Sequence, residues 1–327
     1  MELSSSELKV KIKEKILGNF FGYVKLFTPI QSNFLTDIYK RYHCLDSGSI
    51  VLFFAKKTHQ AILRKKEYDL NYDLSFEKFW HNQKESNIEN STIIEIAEKT
   101  HLPKETARRK LAELTRQKVL RKIKQKIIWL PTDEYKKTYN EVVNNEIKQI
   151  AKLTKYVASM VNLNISAEEI INEYKKKFSF YWFHYLDLQL QWIRLWKLQL
   201  NDLEVVLIFM HIATLLVSKV DNEVSHKTLF SEPSVIKKPQ LKNINVSISA
   251  TSLSDITGMP RATCIRKLNK MVEQKLITKD INTKRYFIIP EAFKKSLISK
   301  ELTEKITGLV SEYYLIMIKA LSSKTSY

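Results

Sequence analysis

The residues best equipped for chemistry are basic, and they gather in two short stretches. In residues 91–131, Lys104, Thr106, Arg108 and Arg109 fall opposite Ala107, Leu111 and Leu114, which recur at three- to four-residue spacing. A helix with that pattern buries one face and offers a cationic face to solvent. Guanidinium groups so displayed suit bidentate hydrogen bonds to guanine edges or charge-assisted bonds to phosphate. In residues 249–290 the same places hold Arg261, Thr263, Ile265, Arg266 and Asn269. Beyond each helix, Lys124 and Lys126, and then Lys284 and Arg285, lie between apolar runs, where they can hold phosphates or probe a minor groove. A small core with a solvated charged face would explain one such helix. It does not explain the second copy, in which Thr100, Pro103, Thr106, Arg109, Lys110, Leu111, Gln117 and Lys118 recur as Thr257, Pro260, Thr263, Arg266, Lys267, Leu268, Gln274 and Lys275. The offset is a constant 157 until two residues are inserted after the helix.

The elements that must position these residues follow from the same stretches. Ile96 and Ala97 belong to a short core-facing helix, 100–102 form a tight turn, and Pro103 opens the next helix, where a missing N–H is harmless. Gly258 replaces His101 in the turn, which suits a backbone of positive φ, and Cys264 takes the buried place of Ala107. Val119 and Leu120 begin an extended segment, residues 121–126 make a basic tip, and 127–130 are strand-like. The order helix, turn, second helix, two-stranded hairpin resembles a winged helix-turn-helix, whose second helix enters a major groove.

Net charge supports the same direction. The chain carries 54 Lys and Arg against 35 Asp and Glu, a net of +19 over 327 residues. Residues 91–131 hold 11 basic and 4 acidic side chains and 249–290 hold 8 and 3, so twelve of the nineteen excess charges sit on the two candidate readers. A basic protein addressed to an acidic membrane would carry a basic amphipathic tail, and none is visible. The longest apolar run, 205–217, is too short to span a bilayer, which takes roughly 20 residues, and reads as a buried helix. The first twenty residues have scattered charges and predict a short amphipathic helix rather than a signal peptide. Two cysteines, Cys44 and Cys264, give no disulfide framework, so a reducing cytoplasm, with association to the nucleoid, is expected.

Similarity extends upstream, where Leu45, Val51, Leu52 and Phe54 match Leu200, Val206, Leu207 and Phe209 at an offset of 155. Two units follow, 1–160 with its reader at 91–131 and 161–327 with its reader at 249–290. Each has a helical hairpin, a polar connection of roughly 30 residues (63–90 and 218–246), the reader, and a closing helix (133–161 and 291–321). In Phe178–Leu200 the stripe of Phe178, Tyr181, Trp182, Tyr185, Gln189, Trp192 and Trp196 predicts core, since a stacking platform would interleave exposed aromatics with Arg and Lys. His184 and His211 lie on apolar helices and predict satisfied core histidines.

This order of elements, in units near 150 residues, resembles the MarR family of bacterial winged-helix transcription regulators. The resemblance implies a mainly α fold with small β wings, its tandem winged helix-turn-helix units forming an internal pseudo-dimer, with readers about one duplex turn apart, on the order of 34 Å. It implies double-stranded DNA as the partner, one chain per site, and a sequence-specific regulator reading a pseudo-palindromic or asymmetric site. Two further readings share the layout: a plasmid-type replication initiator, also built from two winged-helix units, and an architectural binder without sequence preference. A protein-binding module, insensitive to salt, is the fourth. Five glycines leave no Gly-rich phosphate loop, and no GxSxG, HExxH or metal-ligand spacing occurs, so neither an enzyme nor a cofactor or metal is predicted. The residues define no pocket for a small-molecule effector.

Overall fold

The computed structural model describes residues 4–86, 91–123, 126–219, 247–288 and 300–325. They are mainly helical, with a few short antiparallel strands. The apolar spacing noted above is the cause: stripes at three and four residues bury one face of each helix. The first helices are α1 (Ser5–Gly18), α2 (Phe20–Tyr42), α3 (Leu45–Tyr68) and α4 (Phe79–Glu85). The first reader stretch gives α5 (Ile93–Thr100), α6 (Lys104–Arg116), β1 (Leu120–Ile123) and β2 (Lys126–Trp129). Then come α7 (Asp133–Met160), α8 (Ala167–Lys176), α9 (Phe178–Leu200) and α10 (Leu203–Lys219). The second stretch gives β3 (Ser247–Ile248), α11 (Ala250–Thr257), α12 (Arg261–Glu273), β4 (Ile277–Lys279) and β5 (Tyr286–Ile288), and α13 (Lys300–Thr325) closes the chain.

Two compact units are present, and they are not successive halves. One joins Met1–His43 to Leu195–Ser311, the other joins Cys44–Arg194 to Glu312–Tyr327. The sequence division 1–160 and 161–327 therefore differs from the spatial one. The first boundary has a local cause. After α2 the backbone at His43 turns left-handed, φ 50°, and α3 starts at once in the other unit, while α2 packs along α10. Asn201, φ 51°, makes the same turn between α9 and α10.

These turns also bear on the upstream register. The N-cap residues are Cys44 for α3 and Asp202 for α10, so the helix starts lie 158 apart and not 155. A slip of three residues is nearly one helical turn and leaves apolar positions matched to apolar ones, so hydrophobic periodicity cannot reject it. The polar connection expected over 63–90 is partly helical, since α3 runs to Tyr68 and α4 follows. Residues 220–246, most of the second connection, and 291–299 of the expected second closing helix lie outside the described residues.

In the unit containing α3, that helix packs against α5, α6 and β2, and α7 lies along α8. Phe79, Trp129 and Tyr139 are buried together beside Trp80, and Gln83 Nε2 donates to the Trp129 carbonyl at 2.6 Å, fixing the base of the first hairpin. All seven positions of the aromatic stripe on α9 are buried, and Trp182 Nε1 donates to the Tyr139 hydroxyl at 3.1 Å. In the unit containing α10, that helix is buried from Val205 through Met210 and carries α2 on one side and α12 on another. No single helix among the described residues is long and apolar enough to cross a membrane.

Candidate nucleic-acid interface

Each candidate reader begins with a capped helix. The Thr92 hydroxyl accepts from Glu95 N at 3.1 Å and the Ser249 hydroxyl from Ser252 N at 3.0 Å, satisfying one orphan donor at each start. Both helices end on a left-handed residue, His101 at φ 52° and Gly258 at φ 73°. Thr100 and Thr257 each donate to the carbonyl four residues back at 2.6 Å, which tightens the last turn. Pro103 and Pro260 then take the N-cap positions of α6 and α12, with extended ψ. Both of these helices are 13 residues long and leave through a second left-handed residue, Lys118 at φ 59° and Lys275 at φ 57°. This second left-handed pair, both lysines, carries no glycine signal and was not legible in the sequence.

Burial sets which residues face outward. On α6 the packed side is Ala107, Leu111 and Leu114, and on α12 it is Cys264, Lys267, Leu268 and Met271. Opposite them run Glu105, Arg109, Ala112 and Arg116 on the first helix, and Ala262, Arg266, Asn269 and Glu273 on the second, all exposed. Arg109 and Arg266 hold the middle of each stripe. Lys104, Arg108 and Arg261 are exposed on the flanks or at the entry, whereas Thr106, Thr263 and Ile265 are half-buried. Arg116 and Glu273 are parts of the outward stripe absent from the sequence-based set; the helical wheel, extended by one turn, includes them.

Several of these side chains are engaged within the protein. Arg108 makes a forked contact to Glu105, Nη2 to Oε1 at 2.6 Å and Nε to Oε2 at 3.0 Å. The Arg108 hydrogen bonds hold the Glu105 carboxyl below the usual carboxylate range. The pair is exposed, so it can open at little cost. Arg261 Nε donates to the Thr251 hydroxyl at 3.2 Å, and Asn269 Oδ1 accepts from the Tyr286 hydroxyl at 3.2 Å.

Lys110 and Lys267, which the repeat suggests are part of the charged face, turn inward. Lys267 is buried and donates to both oxygens of Asp202 at 2.7 and 2.8 Å, with Glu204 at 3.3 Å; Lys270 reaches Asp202 at 3.3 Å. Burial alone would raise the Asp202 carboxyl, but the Lys267 ammonium outweighs it and holds Asp202 below the usual range. Burial raises Glu204. Lys110 meets Glu113 at 3.1 Å, and Glu113 and the nearby Cys44 outweigh burial and hold its ammonium above the ordinary value. So the N-cap residues of α3 and α10 both face the lysine on the inner side of the following reader. An open groove of about 520 Å³ runs beside this contact, lined by Asp202, Ile265, Arg266, Asn269, Lys270 and Glu273 among others.

The hairpins differ. β1 and β2 pair antiparallel from Leu120↔Trp129 to Ile123↔Lys126, leaving residues 124 and 125 between them. Arg121 and Lys122 are exposed; Lys124 lies outside the described residues, as does the side chain of Lys126. The second hairpin is the longer one and gains a third strand, in the order β3, β5, β4. Arg285 spans to that strand, Nε to the Ser247 hydroxyl at 2.7 Å and Nη2 to the Ser247 carbonyl at 3.3 Å, so it braces the sheet. Lys284 is exposed at φ 56°.

The histidines divide. His211 is buried and bonded to the Thr36 hydroxyl at 2.8 Å, its pKa pushed down to about 4 by burial. His184 is only half-buried, edge-on to Phe180 and Phe183. No cluster of three or more His, Cys, Asp or Glu suited to a metal ion occurs among the described residues. No protein-family model matches the chain, and neither curated proteins nor solved structures give a significant match.

Proposed function

We propose that the chain binds double-stranded DNA sequence-specifically and regulates transcription, reading the duplex with α6 and α12 as two unlike recognition helices. In this reading each helix pair with its hairpin is a winged helix-turn-helix, and the chain is an internal pseudo-dimer of two such units. The observation that carries it is the repeated presentation of one arginine. Arg109 and Arg266 stand exposed at the centre of equal 13-residue helices, each entered through a left-handed residue and an N-cap proline and left through a left-handed lysine. A solvated helix face needs no such duplication of both turns. The mixed origin of the compact units, each built from two separated stretches of the chain, supports the pseudo-dimer.

Arg109 and Arg266 would take guanine edges or the nearest phosphates, with Thr106, Thr263 and Lys104 beside them and Lys284 on an adjacent phosphate. Selection from random duplexes followed by salt titration tests the reading. About 8 neutralised phosphates give a slope of log K against log salt near −7, and a slope shallower than about −2 rejects DNA as the partner. Mapping bound sites in cells then separates dispersed promoter sites, as expected, from one array of repeats at an origin.

A further inference from the structure

The tip of the second hairpin combines rigidity, positive charge and one apolar side chain. Between β4 and β5 lie residues 280–285, and Ile281 is 79% exposed there. A lone exposed isoleucine is ordinary on a protein surface. This one stands on a tip that is fixed by hydrogen bonds. The Asp280 carboxylate accepts from Thr283 N at 2.6 Å and from the Thr283 hydroxyl at 3.0 Å, and Asp280 N donates to the Arg285 carbonyl at 2.9 Å. Lys284 completes the turn at φ 56° without glycine, and Arg285 ties the base to Ser247 of β3. Lys279 lies over the Tyr286 ring, 5.4 Å from its centroid. The tip is thus held out with Ile281 and Lys284 as its exposed apolar and cationic groups.

We infer that Ile281 is an apolar wedge that enters the minor groove and opens a base step, bending the DNA on the side read by α12. The inference rests on the DNA reading above and adds a mode of contact to it. Phosphates offer an isoleucine nothing; in the minor groove its apolar partners are the deoxyribose faces and, once a step opens, the base faces, and side chains of this kind kink DNA by 20–90° when they insert. Lys284 next to it supplies the charge that draws the tip between two phosphate rails. The first hairpin leaves only two residues between its strands, Lys and Gln in the sequence and neither apolar, so the bend belongs to one half of the site.

The test uses the full chain and a duplex recovered by selection, labelled at its ends with a donor and an acceptor dye and carrying 2-aminopurine at successive steps. Wild-type protein is expected to shorten the end-to-end distance and raise 2-aminopurine emission at one step. Ile281→Ser and Ile281→Lys should lose both signals and about tenfold in affinity, with an unchanged salt slope for the serine variant, while Ile281→Leu keeps the bend. A serine variant that bends DNA like wild type overturns the inference. So does a wild-type chain that binds and leaves the duplex straight, with the DNA reading intact. A wild-type chain that binds no duplex overturns both.

Discussion

At the residue scale, one lysine in each reader shows how the same sequence signal serves unlike energetics. Lys267 is buried against Asp202 and Glu204, so truncating it takes the ammonium from Glu204 and leaves Asp202 with Lys270 alone, a loss of about 3 kcal/mol. Lys110 faces Glu113, which is about a third exposed, and a helical pair of that kind contributes under about 1 kcal/mol. Urea unfolding should therefore separate Lys267→Met sharply from Lys110→Met; equal losses would contradict the burial difference. His59 gives a second prediction. It is buried between Phe79 and Phe178, neither ring nitrogen has a hydrogen-bond partner among the described residues, and burial pushes its pKa down to about 3. In the unfolded chain it titrates near 6.5, so below that pH the unfolded state binds the extra proton, and stability falls as pH drops from about 6.5 towards 3. His211, lowered to about 4, acts in the same direction. His59→Leu is expected to gain about 1 kcal/mol at neutral pH and flatten the acid limb, measured by unfolding at pH 7.5 and pH 5. A steeper acid limb in this variant would refute the assignment.

At the scale of elements, the turn between the paired helices is where backbone geometry decides most. His101 adopts a left-handed conformation that costs an ordinary residue about 1 kcal/mol, whereas Gly258 adopts it freely. His101→Gly should stabilise by up to about 1 kcal/mol and Gly258→Ala should destabilise by at least as much, because a Cβ there also meets Lys40 Cγ at 3.2 Å. Differential scanning calorimetry reads both; a stabilising Gly258→Ala would remove the turn from this argument. The left-handed turn was legible from Gly258 alone, and α5, α6 and the first hairpin follow the apolar spacing within a residue or two. What was not legible has a physical cause in each case. The register of α3 against α10 slipped by three because a helix repeats nearly every turn. The inward turn of Lys110 and Lys267 was not legible because sequence spacing cannot show that carboxylates from a distant helix neutralise one of them. The division of the chain falls once at a left-handed residue, His43, whose type allows that conformation without demanding it, and otherwise within α9 and α13, where no residue marks it. In the candidate site, the arginines were visible and their engagement was not, since Arg108 and Arg285 bond to Glu105 and Ser247.

At the scale of the whole molecule, two readers in one chain, as proposed above, would be free to differ, and α6 and α12 differ on their outward stripes. A homodimer reads two like half-sites because its helices are identical. Here Glu105, Arg109, Ala112 and Arg116 face out from α6, against Ala262, Arg266, Asn269 and Glu273 from α12. Only the central arginine is shared. The ends reverse in charge: α6 starts acidic and finishes basic, while α12 ends in Glu273. A carboxylate there repels phosphate and favours a cytosine amino group, and Asn269 suits adenine, once released from the Tyr286 hydroxyl. Selection from random duplexes should therefore return a site with two unlike halves in fixed orientation, each centred on a guanine contacted by Arg109 or Arg266. Either arginine changed to alanine should cost about 1–3 kcal/mol and relax preference in one half only. The decisive variant exchanges the stripe, replacing Ala262 by Glu, Asn269 by Ala and Glu273 by Arg in one protein. These positions are exposed, so the fold is expected to hold, and circular dichroism checks it. The selected site should then become a repeat of one half-site, direct or inverted, and the salt slope should steepen by about one for the added arginine. Recovery of the original unlike halves from the exchanged protein would show that the stripes do not read the DNA.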